Sequence, residues 1–282
     1  MITTRIKQFL YPLYIYPRVS YSRRKHLQSL FRFYRSKVND NVPVHYASTG
    51  LRIFSNMEED GIILWLTASL NIQKGTFIDI GSNDCINSNC ANLVFNFDWQ
   101  GTFIDSDSKL LKIGKRAYQL FGKTKELNLQ FVEGFLSADN INDILNKYKV
   151  NDEVDFISID IDGNDYTIWQ ALNVVHPKIV LIENKVEYGN HDIVIPVSNA
   201  FPPEAWGASP FSMTKLAAQK GYTLVAANKK GFNTFYLRND LISNLITPLE
   251  IEKLLEEPAV KKDFFDEETI AALQLKMNEI NS

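Results

Sequence analysis

The sequence has 282 residues, of which 45% are hydrophobic and 22% are charged. This composition is typical of a globular protein that buries a large core, and it excludes disordered, collagen-like and disulfide-stapled chains. The formal net charge of −3 argues against a dedicated nucleic-acid-binding protein. The two cysteines, Cys85 and Cys90, are interpreted as reduced thiols of a cytoplasmic protein.

The near-balanced total charge conceals a gradient along the chain. Residues 1–40 carry nine basic side chains and one acidic side chain, a local charge of +8, whereas residues 241–282 have a local charge of −5. We therefore predict three parts: a basic, aromatic N-terminal extension (1–50), a domain that carries the function (51–240) and an acidic helical tail (241–282).

The N-terminal extension is predicted to contain neither a signal peptide nor a transmembrane helix. Its apolar run, residues 9–17, is interrupted by Pro12 and Pro17 and is too short to span a bilayer. From Ser20 onward the spacing predicts a basic helix with one apolar stripe, formed by Leu27, Leu30, Phe31 and Tyr34.

Two interpretations of residues 1–40 remain open. In the first, the apolar stripe packs against the main domain or against a second copy of the chain, as in a homodimer. In the second, the segment makes a peripheral contact with anionic lipids at the inner face of a membrane.

Residues 55–70 are predicted to form a buried helix, with Ser55 and Glu58 at the spacing of a capping box. From Thr76 onward, short apolar segments alternate with segments of helix length. The predicted strands are 76–80, 101–105, 129–132, 154–160, 178–183, 222–227 and 233–238, and the predicted helices are 87–97, 107–121, 139–148, 163–172 and 210–220. The alternation indicates an α/β protein with a mostly parallel sheet. The last two strands are too close together for a parallel crossover, so they form an antiparallel hairpin.

This order of elements resembles the Rossmann-like class I fold of S-adenosylmethionine-dependent methyltransferases, with seven strands and a terminal antiparallel hairpin. Ligands of such open sheets bind beyond the carboxyl ends of the strands. The long segment 186–209 follows the fifth strand at this edge, and we expect it to select the substrate.

The turn after the first strand carries the first candidate ligand-binding residues. Asp79 stands near the strand end, and Gly81, Ser82 and Asn83 follow. We expect Gly81 to let the backbone approach a ligand, close to the N–H groups that begin the next helix. Asn83 replaces the second glycine of G-x-G-x-x-G, which disfavours a nicotinamide dinucleotide. S-adenosylmethionine has no phosphate, and the acid Asp79 suits its amino-acid part.

The second strand ends at another acid. Asp105 can accept hydrogen bonds from both hydroxyls of a ribose, and Ser106 next to it is a further candidate for cofactor binding. Asp107 is the competing acid, but we expect it to cap the following helix. Phe135, after the third strand, is a candidate to pack on adenine, and ordinary core packing is the alternative.

The fourth strand ends in three acids, Asp160, Asp162 and Asp165. Three carboxylates in one place need a cation, a donor-rich ligand or solvent, although one of the last two is expected to cap the next helix. The fifth strand ends at Glu183 and Asn184. With Asp160 these offer oxygen ligands for Mg²⁺ or Mn²⁺, and a metal would lower the pKa of a bound hydroxyl. Hydrogen bonding to substrate or backbone without a metal is the alternative.

Several segments together resemble the FkbM-type family of S-adenosylmethionine-dependent methyltransferases. They are EEDGII (58–63), FIDIGSNDCINS (77–88), GTFID (101–105), LSADNINDIL (136–145), SIDIDGNDYTIW (158–169), VLIENK (180–185), GASPFSMTKLAAQKGYTLV (207–225) and GFNTFYLR (231–238). The resemblance implies methyl transfer to a hydroxyl, commonly of a sugar in a polysaccharide or natural-product pathway. The set Asp160, Glu183 and Asn184 is also similar to the Asp, Asp, Asn magnesium site of catechol O-methyltransferase, with Glu183 in place of the second Asp.

Methyl transfer to oxygen needs an in-line acceptor whose proton is removed. His191 and Asp162 are the predicted catalytic residues and Lys185 is a rival, while a solvated loop histidine is the alternative for His191. The candidate walls of a sugar pocket are Tyr166, Tyr188, Phe201 and Trp206.

The leading hypothesis is a cytoplasmic O-methyltransferase that uses S-adenosylmethionine, acts on a small-molecule or glycan acceptor and is assisted by Mg²⁺ or Mn²⁺. Two alternatives are kept. One is a non-catalytic Rossmann-like binding module in a biosynthetic complex, and the other is a nicotinamide-dependent oxidoreductase.

Overall fold

A computed structural model describes residues 4–150 and 153–281 of the chain. The strands of its main sheet are β1 (Thr76–Ile80), β2 (Gln100–Asp105), β3 (Leu129–Glu133), β4 (Phe156–Ile159), β5 (Ile179–Glu183), β8 (Tyr222–Ala227) and β9 (Asn233–Arg238). A separate short pair is formed by β6 (Val194–Ile195) and β7 (Gly207–Ala208).

The seven strands are ordered β3-β2-β1-β4-β5-β9-β8. Strands β1 to β5 are parallel, and β9 pairs antiparallel with both β5 and β8. The predicted fold is confirmed: an α/β, Rossmann-like sheet of seven strands with a terminal antiparallel hairpin.

Helices cover both faces of this sheet. They are α1 (Thr4–Val19), α2 (Tyr21–Asn39), α3 (Glu59–Ser69), α4 (Ala91–Phe97), α5 (Ser108–Leu120), α6 (Lys123–Glu126), α7 (Ile141–Lys147), α8 (Asp165–Ala171), α9 (Pro210–Gln219), α10 (Ile251–Glu256), α11 (Pro258–Lys261) and α12 (Glu267–Asn281). Among the residues described, no helix combines the length and apolar character that crossing a membrane requires.

Alternating side chains of the strands feed two cores. Phe77 of β1 belongs to the core under α2 to α5, whereas its neighbour Ile78 belongs to the core under α7 to α9. This follows from the two-residue period of a strand, which sends successive side chains to opposite faces. Both faces are therefore buried, as is typical of a parallel sheet.

The apolar stripe of α2 packs against the rest of the described chain. Leu27, Phe31 and Tyr34 are buried, and the ring of Phe31 contacts that of Phe97, with 5.9 Å between centroids. The helix begins as predicted, because the Ser20 side chain accepts a hydrogen bond from the backbone N–H of Arg23.

The two prolines that interrupt the apolar run of residues 9–17 do not interrupt the helix in which they lie. Helix α1 continues through both Pro12 and Pro17. Each proline removes one backbone donor, which costs helix stability. Packing offsets that cost, since Ile15 is fully buried and the ring of Tyr14 contacts that of Phe54.

The prediction of a capping box at Ser55 and Glu58 is wrong. Helix α3 begins at Glu59, and Glu58 makes no side-chain capping bond. Ser55 pairs with Asp60 instead: its hydroxyl donates to the carboxylate at 2.9 Å and accepts from the Asp60 N–H at 3.2 Å. The same carboxylate accepts the backbone N–H groups of residues 53–55.

The first helix after β1 starts later than predicted, at Ala91 rather than at residue 87. Residues 81–90, called the first-strand loop below, are held in an irregular path by Asp84. Its carboxylate accepts the backbone N–H groups of Ile86 and Asn87, at 3.0 and 2.9 Å. Two non-glycine residues of this loop have a positive φ, 51° at Asn83 and 59° at Cys85, and such angles are incompatible with a right-handed helix.

The acidic tail is helical, as predicted, and it is packed. Leu254 and Val260 join the core under α9, and Ile270 of α12 belongs to a small cluster with Tyr188 and Phe201. Both cysteines are buried and free.

Candidate functional site

Two cavities lie beyond the carboxyl ends of the parallel strands. The larger cavity, about 440 Å³, is lined by seven of the predicted site residues: Gly81, Asn83, Asp105, Ser106, Phe135, Asp160 and Asp162. The polar cavity, about 160 Å³, is lined by Asp162, Glu183, Asn184 and Lys185, among others. Asp162 and Trp206 line both cavities, so the two spaces share a wall.

The sheet register explains why these residues meet. Ile80 of β1 pairs with Ile159 of β4, and Ile159 pairs with Ile182 of β5. The residues that follow these positions therefore end at the same edge of the sheet. Asp160 and Glu183 are brought next to each other in this way.

The structure requires a glycine at position 81 for a reason that differs from the predicted one. It has a φ of +78°, and a Cβ at this position would lie 1.7 Å from the backbone oxygen of Asp160. The close approach that glycine permits here is thus between β1 and β4. Gly81 also lines the larger cavity, which leaves its predicted contact with a ligand open.

Asp79 and Ser82 do not line either cavity. Both are buried, and the Asp79 carboxylate accepts a hydrogen bond of 2.5 Å from the hydroxyl of Ser88. Burial raises the pKa of Asp79 to about 7, and the nearby Asp160 and Asp105 raise it further, while the Ser88 bond lowers it. Through its bond to Ser88, Asp79 fixes the first-strand loop from the buried side. The expected row of N–H groups from the next helix is also missing here, because α4 begins only at Ala91.

Asp105 stands at the end of β2 with both oxygens turned to the backbone. One oxygen accepts the N–H of Asn83 at 2.7 Å and the other accepts the N–H of Asp107 at 2.8 Å. A carboxylate has about four acceptor positions, so two remain for hydroxyl donors. Asp107 caps α5 as predicted, since its side chain accepts from the N–H groups of Lys109 and Leu110.

Phe135 is 75% exposed, so core packing does not explain it. It lines the larger cavity together with Leu110 and Leu136. An exposed phenyl ring beside a cavity is a suitable surface for a flat aromatic ligand.

Asp160 and Glu183 form a hydrogen-bonded carboxyl pair. Burial raises the pKa of Glu183 to about 10, and the adjacent Asp160 adds to the rise. Burial also raises the pKa of Asp160 to about 6, with a contribution from Asp162, while the bond to Glu183 lowers it. Burial and the close approach of the two carboxyl groups therefore favour a proton shared between Asp160 and Glu183.

Asp160, Asp162 and Glu183 offer carboxylate oxygens that all lie within 4.8 Å of one another. Asn184 adds a further oxygen at the polar cavity, because its Oδ1 is buried without a hydrogen-bond partner. Its Nδ2 is fixed by Thr234, whose hydroxyl accepts at 2.7 Å. Clustered carboxylates and an unpaired amide oxygen are the donor set that Mg²⁺ and Mn²⁺ prefer, so these residues fit such an ion.

Asp165 has a structural role, but it does not cap α8 as predicted for one of the last two acids, because the helix begins after Asn164 without a side-chain cap. Its carboxylate accepts the N–H groups of Ile161 and Gly163, at 2.9 and 3.0 Å, and so fixes the turn between β4 and α8. Burial raises its pKa to about 7. Asp162, by contrast, is exposed and has a φ of +55°, so the turn presents it to both cavities.

His191 is not brought to this site. It lines neither cavity, and its Nε2 lies 3.7 Å from a carboxylate oxygen of Glu267 on α12. The interpretation of His191 as the catalytic base is therefore corrected: its position is one at which the C-terminal helix meets segment 186–209. Lys185 lines the polar cavity and pairs with Glu187 at 3.2 Å.

Of the four aromatic candidates for a sugar pocket, Trp206 is the one at the cavities. Tyr188 is buried, and its hydroxyl donates to the backbone oxygen of Ala205. Phe201 is buried beside it, while Tyr166 is partly buried against the core under α8. Asn164, which is not among the predicted site residues, lines the larger cavity, and its Oδ1 accepts the N–H of Val197 at 3.1 Å. The motif D-G-N-D around it was the available signal.

Comparisons with solved structures find similar chains at low sequence identity. No protein-family model matches the chain, and no curated protein matches it at a significant level. Similar solved structures include the O-methyltransferase from Bacillus cereus in complex with SAH, with 17% identity and a TM-score of 0.44 over 75% of this chain and 88% of that one. A candidate caffeoyl-CoA O-methyltransferase from Staphylococcus aureus has 14% identity and a TM-score of 0.45, over 75% and 91% of the two chains.

The similar structures also include a candidate RNA methyltransferase, PH1948 from Pyrococcus horikoshii. It has 9% identity and a TM-score of 0.39, over 74% of this chain and 96% of that one. Likenesses at this level carry no argument about activity or acceptor.

Proposed function

We propose that this protein is an S-adenosylmethionine-dependent methyltransferase of the FkbM type that methylates a hydroxyl group. The observation that carries the proposal is the pair of cavities with a common wall at the carboxyl edge of the sheet. A larger, mixed polar and apolar cavity suits a nucleoside cofactor, and the smaller polar one suits a hydroxylated acceptor.

The larger cavity has the parts that an adenosine needs. Asp105 offers free acceptor positions for the ribose hydroxyls, and the exposed ring of Phe135 offers a surface for adenine. Asp160 lies nearby and suits the positive charge of the cofactor's methionine part. When bound, S-adenosylmethionine supplies an electrophilic methyl group.

Asp162 is the proposed proton acceptor. It is exposed and lines both cavities, where an acceptor hydroxyl and a methyl donor meet. The site must hold these two groups in line and remove one proton, so positioning supplies much of the rate.

The acceptor is proposed to be a sugar or a polysaccharide precursor. Trp206 offers an aromatic wall, and the unpaired Asn184 Oδ1 and Glu187 Oε2 at the polar cavity require hydrogen-bond donors, which hydroxyl groups supply. A Trp206→Ala variant should raise the KM for such an acceptor more than it lowers the affinity for the cofactor.

A divalent cation is proposed to assist. Asp160, Glu183 and Asn184 would hold Mg²⁺ or Mn²⁺, which would lower the pKa of an acceptor hydroxyl and leave Asp162 to accept its proton. Binding of Mn²⁺ measured by electron paramagnetic resonance tests this without an activity assay. Asp160→Asn should weaken binding at least about tenfold, whereas Asp192→Asn, at an exposed ion pair with Lys215, should not. Equal binding by both variants would remove the metal from the proposal.

Calorimetry with S-adenosylhomocysteine tests the cofactor. We expect Asp105→Asn to lower the affinity about tenfold to a hundredfold, because two charge-assisted hydrogen bonds are weakened. The matched control is Asp107→Asn, two residues further on, which keeps a capping side chain on α5. No binding by the wild type would end the proposal. Binding of a nicotinamide dinucleotide instead would favour an oxidoreductase, and binding of neither would favour a non-catalytic module.

A further inference from the structure

The N-terminal helices expose an unusual set of side chains on the surface that does not pack. The exposed fractions are 71% for Leu13 and 70% for Tyr16 on α1, and 77% for Tyr21 and 49% for Phe33 on α2. We call these four residues, together with Lys25, Arg32 and Lys37, the basic aromatic surface. Single exposed apolar residues are ordinary, but four on one helical pair call for a partner.

Cations accompany the aromatic rings of this surface. The Nζ of Lys25 lies 5.4 Å from the ring centre of Tyr21, and that of Lys37 lies 5.3 Å from that of Phe33. Arg32 is exposed between them. The sequence has no acidic residue before Asp40, so no carboxylate of this segment neutralises the surface.

This surface is held in place by the rest of the molecule. The apolar stripe of α2 is buried on its other side, with Leu27 fully enclosed. On α1, the Arg18 side chain donates to the backbone oxygen of Ile53 at 2.8 Å, and the Tyr11 hydroxyl donates to Asp84. The apolar stripe of α2 packs within the described chain. The basic aromatic surface on the other side has no packing partner among the described residues.

We propose that the basic aromatic surface binds an anionic lipid bilayer, with the helices lying in the interface and not across it. Lysine and arginine are attracted to anionic headgroups, and aromatic and leucine side chains enter the boundary between headgroups and acyl chains. A second copy of the same surface is disfavoured because like charges repel. The exposed aliphatic Leu13 favours an apolar environment over a nucleic acid, for which aromatic rings and cations alone would suffice, and competition with RNA is therefore part of the test.

Vesicle flotation of the full chain tests the proposal. The vesicles contain either phosphatidylcholine alone or phosphatidylcholine with about a third of phosphatidylglycerol. We expect flotation only with the anionic vesicles, and a loss of at least about tenfold in bound protein for Lys25→Glu/Arg32→Glu. The control is Lys261→Glu/Lys262→Glu, an equal charge reversal at two exposed residues of the tail. It should float like the wild type.

A second variant separates lipid insertion from charge attraction. Leu13→Ser/Tyr16→Ser keeps every charge, and it should also reduce flotation severalfold if apolar side chains enter the bilayer. Unchanged thermal unfolding shows that the variants are folded. The proposal is overturned if the wild type does not float, if both charge reversals behave alike, or if the surface binds RNA and anionic vesicles do not compete. It does not depend on the proposed methyltransferase activity.

Discussion

The buried carboxyl pair of Asp160 and Glu183 destabilises the folded protein at neutral pH. Both pKa values are raised by burial, so the folded protein retains protons that the unfolded chain releases. Such groups contribute stability that is present below the unfolded pKa and is lost as pH rises through the folded values. A cation or a hydroxyl ligand bound to this pair would offset the loss of stability.

A Glu183→Gln variant tests this directly, because a glutamine carries no titrating proton. Measured in EDTA, the free energy of unfolding of the wild type should fall from about pH 4, the ordinary pKa range of these carboxyl groups, up to about pH 10, the raised pKa of Glu183. At pH about 9 the variant should be more stable than the wild type, by on the order of 2 kcal/mol, and at pH about 4 the two should be similar. Parallel curves across this range would show that the pair does not share a buried proton.

The sequence predicted which side chains meet at the strand ends, because the register of a parallel sheet carries that information. Asp105, Asp160 and Glu183 each follow an apolar strand, and adjacent strands place them at one edge. The path of the first-strand loop was not predictable in this way. It depends on bonds from Asp84 and Ser88 that have no periodic pattern. The place of His191 was not predictable either, because it lies in the turns of segment 186–209, where its N–H donates to the backbone oxygen of Tyr188.

At the scale of elements, α1 and the first-strand loop are joined through one side chain. The Tyr11 hydroxyl donates to the Asp84 carboxylate, which in turn accepts the N–H groups of Ile86 and Asn87. The loop contributes Gly81 and Asn83 to the larger cavity. The N-terminal extension, predicted as a separate part of the chain, thus contacts the hydrogen-bond network that shapes the cavity wall.

A Tyr11→Phe variant removes this bond and keeps the ring. We expect the free energy of unfolding to fall by about 1 to 3 kcal/mol, the range for a hydrogen bond to a charged group, and the amides of residues 81–90 to exchange hydrogen faster. The matched control is Tyr16→Phe on the same helix, where the side chain is 70% exposed. If both variants exchange at the wild-type rate, α1 does not stabilise the loop.

At the scale of the whole molecule, the acidic tail packs behind a segment that lines the site. Ile270 of α12 is 2% exposed and packs in the small cluster that contains Tyr188 and Phe201. These residues belong to segment 186–209, whose Trp206 lines both cavities. The N-terminal helices thus support one side of the cleft and the C-terminal helix supports another.

An Ile270→Ser variant should therefore loosen segment 186–209, which is remote from Ile270 in the sequence. Replacing a buried isoleucine by a small polar residue costs about 2 to 4 kcal/mol locally, enough to release α12 from the cluster before the sheet unfolds. Limited proteolysis should then cut segment 186–209 several times faster, with little change in the core strands. Leu275→Ser on the same helix is the control, because Leu275 is 63% exposed. Equal cleavage rates for the two variants would mean that segment 186–209 keeps its conformation without the tail, and that the wall formed by Trp206 is set by β6 and β7 alone.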